Sequence, residues 1–155
     1  MTRLSFLSPH ECDADVAVVS PLRHVSSDAL TDVSHLGKLE VRGGVPFEAI
    51  PIGPDRALVI ADADDVRATR DQLTADGLRV YDMTAALAAF EIEGDALMRR
   101  LTELDLERLP AIGAIARGVP ALIEDRGNGR YRLFVPQELG HFVAEVVDDM
   151  ARGLA

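Results

Sequence analysis

The sequence predicts an α+β fold of two pseudo-repeated β(α)ββα-type halves, with antiparallel or mixed sheets and helices packed on one face. Three observations predict it. Short runs alternate apolar and polar residues and stop at glycine, the period-2 mark of strands. Amphipathic helical patterns follow such runs at three places. The order then repeats: Lys38–Gly43 answers Ala89–Gly94, and Arg56–Leu73 answers Tyr131–Val147 at an offset of 75. The halves span about 20–78 and 79–155 of a single domain, preceded by an N-terminal arm over 1–19 that could dock on a partner.

The arm carries Leu4, Phe6 and Leu7, interrupted by Ser8, Pro9, His10, Glu11 and Asp13. In the first half, Leu39 and Val41 alternate with Lys38, Glu40 and Arg42, a half-buried strand stopped by Gly43-Gly44. Arg56–Ala61 is a more apolar strand. Asp62 stands at the N-cap of a helix running to about Asp76, with Asp64 and Asp65 against the positive end of its dipole. That helix buries Val66 and Leu73, and Gly77 ends it.

In the second half, strands are expected over Leu78–Met83 and Ala85–Glu93. The change of phase between Ala89 and Phe90 implies a bulge or burial of both faces. Asp95 then caps a short helix with Leu97, Leu101 and Leu104 on one stripe. Pro110 and Gly113 break the chain before strands at Ala114–Arg117 and Ala121–Asp125. Gly127-Asn128-Gly129 turns into Arg130–Val135. The last helix places Leu139, Phe142, Val143, Val146, Val147 and Met150 on one face and Glu138, Glu145, Asp148 and Asp149 on the other.

Composition bounds the function. A chain of 155 residues buries roughly 68–70% of its unfolded surface, enough for a core without staples. Aromatics are 5% of the chain, so aliphatic side chains carry the packing. A net charge of −10, with no Lys/Arg cluster to form a basic patch, disfavours nucleic acid and anionic membranes. Cys12 is the only cysteine, which precludes an intrachain disulfide and a thiolate-rich metal site and fits a reducing cytoplasm. No secretory signal pattern opens the sequence, and no apolar run is long enough to span a bilayer.

The chemistry-bearing clusters each have a structural reading. Asp32-Val33-Ser34-His35 collects an acid, a hydroxyl and an imidazole, but Asp32 and Ser34 share one strand face and His35 takes the other, so a turn fits better than a triad. His10, His24, His35 and His141 show no metal-binding spacing. Gly127-Asn128-Gly129 joins strand to strand, not strand to helix, so it is a hairpin turn and not a phosphate loop. Asp62, Asp64 and Asp65 lack the rest of a Ca²⁺ loop. Asp82 and Asp105 lie in apolar sequence, where they either bind local backbone or are buried with shifted pKa values. No catalytic or metal residue is assigned.

Six stretches, taken in order, carry a family resemblance. They are Ser20-Pro21-Leu22; Leu36-Gly37-Lys38-Leu39-Glu40-Val41-Arg42-Gly43; Ile52-Gly53-Pro54-Asp55-Arg56-Ala57-Leu58-Val59; Val80-Tyr81-Asp82-Met83-Thr84-Ala85 with its strand to Gly94; Leu104-Asp105-Leu106; and Leu133-Phe134-Val135-Pro136. Over about residues 16–150 the chain resembles the gamma subunit of heterotetrameric sarcosine oxidase. That subunit is a short relative of the glycine cleavage T-protein and other folate-binding aminomethyltransferase-like domains. The resemblance implies T-protein-like, ferredoxin-like halves. It also implies a noncatalytic small subunit of a cytoplasmic, flavin-dependent N-methyl amine oxidase complex. Larger alpha and beta flavoprotein subunits would then hold FAD, FMN, NAD and tetrahydrofolate, and this chain would bind none. The family's helical insertion after Arg42-Gly43 is largely missing, and Ala57-Leu58 replaces a common aromatic. Asp32–Gly37 is similar to the T-protein itself, but no folate site is carried over from it. A stand-alone folate-binding aminomethyltransferase-like protein is one alternative. A ligand- or protein-binding module is another.

Overall fold

A computed structural model describes residues 20–154, apart from Arg23 and Ser26. The 1–19 arm, with His10 and Cys12, lies outside them. The strands are β1 (Leu30–Asp32), β2 (Gly37–Arg42), β3 (Ile50–Gly53), β4 (Arg56–Ala61), β5 (Arg79–Asp82), β6 (Leu87–Glu93), β7 (Ala111–Ile115), β8 (Val119–Gly127) and β9 (Arg130–Pro136). The helices are α1 (Val66–Ala75), α2 (Asp95–Leu101) and α3 (Gly140–Arg152).

One sheet has the order β3-β4-β2-β5 and the other β1-β6-β9-β8-β7, and all their pairings are antiparallel. The α+β class with two sheets and three packed helices is thus as the sequence implies. The layers stack helix, sheet, sheet, helix. On the first sheet α1 covers Leu39, Val41 and Ala57 with Leu73. On the second, α2 and α3 bring Leu97, Met98, Val143 and Val147 onto Phe90, Ile92, Leu133 and Val135. Between the sheets lie Ile50, Leu58, Ala89, Leu122 and Phe134.

This stacking corrects the strand reading. β2 is buried from Gly37 to Val41, not half-buried, because its Lys38–Glu40 face meets the second sheet. β6 shows no bulge: its register with β9 runs unbroken from Leu87↔Pro136 to Glu93↔Arg130. The phase change at Ala89 and Phe90 reflects two buried faces, one toward each core.

The two halves exchange strands. β1 precedes β2 in the chain but pairs with β6 in the second sheet, and β5 precedes β6 but pairs with β2 in the first. The registers correspond. Asp32 lies opposite Phe90 and Leu30 opposite Ile92, as Asp82 lies opposite Leu39 and Val80 opposite Val41. The repeat units read from sequence are therefore not the sheet units, since each unit lends its first strand to the other.

Local differences have local causes. Asp62 makes no side-chain cap; its carbonyl accepts from Asp65 N at 2.9 Å in a 3₁₀ turn that leads into α1. Gly94, not Asp95, is the N-cap of α2, because the Asp95 carboxylate accepts from Tyr131 Oη at 2.8 Å. Leu104 lies past the end of α2, against Gly113. The expected strand 114–117 is β7, shifted toward the N-terminus because Ala116, Arg117 and Gly118 form a turn with positive φ.

Helix and sheet approach closely at one small residue in each half. A Cβ on Gly37 of β2 would come within 2.3 Å of Val66 Cγ2 on α1, and one on Gly140 of α3 within 2.7 Å of Ala88 Cβ on β6. The small residue sits on the strand in one half and on the helix in the other. Gly37→Ala is expected to destabilise the fold by about 1–3 kcal/mol in urea titrations through overpacking. Adding Val66→Ala should recover part of that loss.

Candidate functional site

A hydrogen-bonded polar cluster lies where the chain crosses between the sheets. Two three-residue turns build it, Asp32-Val33-Ser34 after β1 and Asp82-Met83-Thr84 after β5. In each, the Asp Oδ1 accepts from the backbone N–H two residues on, Ser34 N at 2.9 Å and Thr84 N at 2.9 Å. An Asx turn of this kind redirects the chain with its own side chain. The carbonyl of each middle residue closes the turn, Val33 O from Leu36 N at 3.1 Å and Met83 O from Ala86 N at 2.9 Å.

Each turn then reaches a strand of the other half. Val33 N donates to Ala89 O at 2.9 Å, and Met83 N donates to Lys38 O at 2.8 Å. Ser34 Oγ accepts from Ala89 N at 3.0 Å and donates to Ala89 O at 3.1 Å. Thr84 Oγ1 accepts from Lys38 N at 3.1 Å. Ser20 Oγ adds a hydrogen bond to the free oxygen of Asp32.

Lys38 lies between the turns with 0% of its surface exposed. A buried ammonium is tolerable only with hydrogen-bond acceptors and opposing charge. Its Nζ donates to Ser34 O at 2.8 Å and Leu36 O at 2.8 Å. Burial lowers its pKa to about 8, against the opposing pull of the Asp32 and Asp82 carboxylates.

Two ion networks flank this seam at equivalent places. Glu40 of β2 accepts from Arg42 Nε at 2.7 Å and meets Arg56 Nη2 at 3.0 Å. Burial pushes its carboxyl up, but hydrogen bonds from Arg56 and Arg42 together hold it below the usual range. Glu91 of β6 pairs with the buried Arg132 at 2.7 Å, and Arg132 lies 3.6 Å from Glu124 Oε2, which has no hydrogen bond of its own. Tyr131, buried and bonded to Asp95, has its pKa raised to about 12.

The sequence-singled residues fall as follows. Asp32 and Ser34 share a turn, the Ser34 hydroxyl is committed to Ala89, and His35 is exposed, so the three form no nucleophile–base pair. Asp82 and Asp105 both bind local backbone, Asp105 through Glu107 N at 3.1 Å. Gly127–Gly129 is the β8–β9 hairpin turn, with φ of 77°, 57° and 70°. His141 pairs with Glu145 on the exposed side of α3 at 3.1 Å. Among the described residues no three or more His, Cys, Asp or Glu converge to hold a metal. Sequence reasoning missed Lys38, whose alternation in β2 is that of a solvated residue. The matching Asp-x-Ser/Thr triplets were the signal that could have found the seam.

No protein-family model matches the chain, and no curated protein matches it by sequence. Among solved structures, heterotetrameric sarcosine oxidase from Corynebacterium sp. U-96, in complex with pyrrole 2-carboxylate, contains a similar chain. The TM-score is 0.66 over 88% of this chain and 96% of that one, at 16% identity. The two chains share a fold. At that identity the likeness concerns architecture, and it accords with the resemblance read from the six sequence stretches.

Because the folded pKa of Lys38 lies below its unfolded value of 10.5, the unfolded chain binds more protons between the two. Stability therefore rises with pH from about 8 to 10.5 on account of this group. Tyr131, raised from 10.0 to about 12, acts in the opposite sense above pH 10. The stability of wild type minus that of Lys38→Met cancels the tyrosine. That difference is expected to be flat below pH 8 and to rise above it, by up to about 1.4 kcal/mol per pH unit.

Proposed function

We propose that this chain is a noncatalytic small subunit of a multi-subunit, flavin-dependent N-methyl amine oxidase of the sarcosine oxidase type, acting in assembly with larger flavoprotein subunits. The observation that carries the reading is the fold shared with a chain of heterotetrameric sarcosine oxidase along most of both lengths. The chemistry of the seam supports it. The buried Lys38 and Ser34 and the half-buried Thr84 are the seam groups best suited to proton transfer, and each is turned to main-chain partners that hold the sheets together. That donor set does not fit a flavin or a folate, so the reading places FAD, FMN, NAD and tetrahydrofolate on the larger subunits, in the cytoplasm. The surface also supports association: Phe47 is 94% exposed and Ile112 58% exposed, and Val45, Tyr81, Phe142 and Leu154 are exposed as well.

Affinity-tagged chain purified from its native cell is expected to bring down a flavin-absorbing partner. N-methyl amine oxidation should require that partner and be absent from the chain alone. Recovery of no flavoprotein, or turnover of sarcosine with tetrahydrofolate by the isolated chain, would contradict the reading. Saturable tetrahydrofolate binding to the isolated chain by calorimetry would favour a stand-alone folate protein.

A further inference from the structure

The sequence contains no Lys/Arg cluster, yet the fold assembles one. α2 ends in Arg99 and Arg100, where cations complement the negative end of the helix dipole. The β7–β8 hairpin is fastened to that end. Ala116 N donates to Leu101 O at 3.0 Å, and Thr102 Oγ1 donates to Ala114 O at 2.9 Å. Arg117, at the hairpin tip, therefore lines the same open groove of about 600 Å³ as Arg99 and Arg100. Glu103 is the one acid among its described lining residues. Arg100 also donates to Gly153 O at 3.2 Å, whereas Arg99 and Arg117 have no hydrogen bond or ion pair among the described residues.

The backbone holding Arg117 is costly. Ala116 and Arg117 have φ of 42° and 68°, in the left-handed region that side chains with a Cβ disfavour. The neighbouring β8–β9 hairpin meets the same need with Gly127, Asn128 and Gly129, the residues that tolerate it best. Strain retained where a cheaper residue would serve points to a role for the side chain.

We propose that this groove docks an acidic, extended segment of a partner protein, whose carboxylates pair with Arg99, Arg100 and Arg117. Guanidinium groups bind carboxylates in two-pronged fashion. The groove is open and is lined also by the half-buried Leu104, which suits a chain carrying small side chains between its acids better than a free anion. With a net charge of −10 the surface repels such a segment on average, which favours its docking at this arginine-lined groove. This goes beyond the subunit reading and does not depend on a flavoprotein partner.

The test is an NMR titration of the full chain at low salt with a peptide alternating Glu and Ala, its Gln-Ala counterpart, and inorganic phosphate. The Glu peptide is expected to give saturable shifts at residues 99–104 and 114–118. Arg99→Gln with Arg117→Gln should weaken it about fivefold or more. Arg117→Gly should raise the melting temperature, by relieving the strain, while weakening the peptide. Absence of saturable shifts in the groove would overturn the proposal. So would equal affinity for the Gln peptide or for phosphate, or affinity unchanged in the folded arginine variants.

Discussion

An ammonium group without access to water sits where this chain passes from one sheet to the other, held by the carbonyls of Ser34 and Leu36 and by the charge of two aspartates. The rest of the architecture converges on that crossing. β1 and β5 each leave their own half, and the Asx turns that follow them bond the backbones of Ala89 and Lys38 in the other half. Strand exchange makes the ladder hydrogen bonds of one half depend on the chain of the other. The inter-sheet core of Ile50, Leu58, Ala89, Leu122 and Phe134 then seals the two inner faces. Two small repeats, each with little surface to bury alone, thereby become one cooperative body.

This dependence bears on function. Polar side chains that could otherwise serve chemistry are used to join the halves, while apolar Phe47 and Ile112 and the arginine groove face outward. An interior devoted to rigidity and an exterior with both apolar and charged features suit a protein that works by association.

Much of the fold was legible in local patterns. The stripe of Val143 and Val147 made α3 plain, Gly127-Asn128-Gly129 marked its hairpin, and the repeat of strand and helix foretold two halves. What was not legible is non-local. Lys38 and Glu40 alternate with Leu39 and Val41 as residues facing water would; only a second sheet across from them makes them buried. Strand exchange leaves no trace in periodicity, since β5 has the same pattern whichever sheet it joins. Asp95 has the chemistry of a cap, but Tyr131, distant in sequence, claims its carboxylate. The arginine groove was invisible because Arg117 reaches Arg99 and Arg100 only through the β7–β8 hairpin.

Native-state hydrogen exchange tests the central claim most directly, that reciprocal strand exchange couples the halves. Amides of β2 and β4 in one sheet and of β6 and β9 in the other are expected to share one opening free energy and one denaturant dependence, equal to those of global unfolding. Exchange of β2 and β4 through a distinct, lower-energy opening while β6 and β9 stay protected would contradict it.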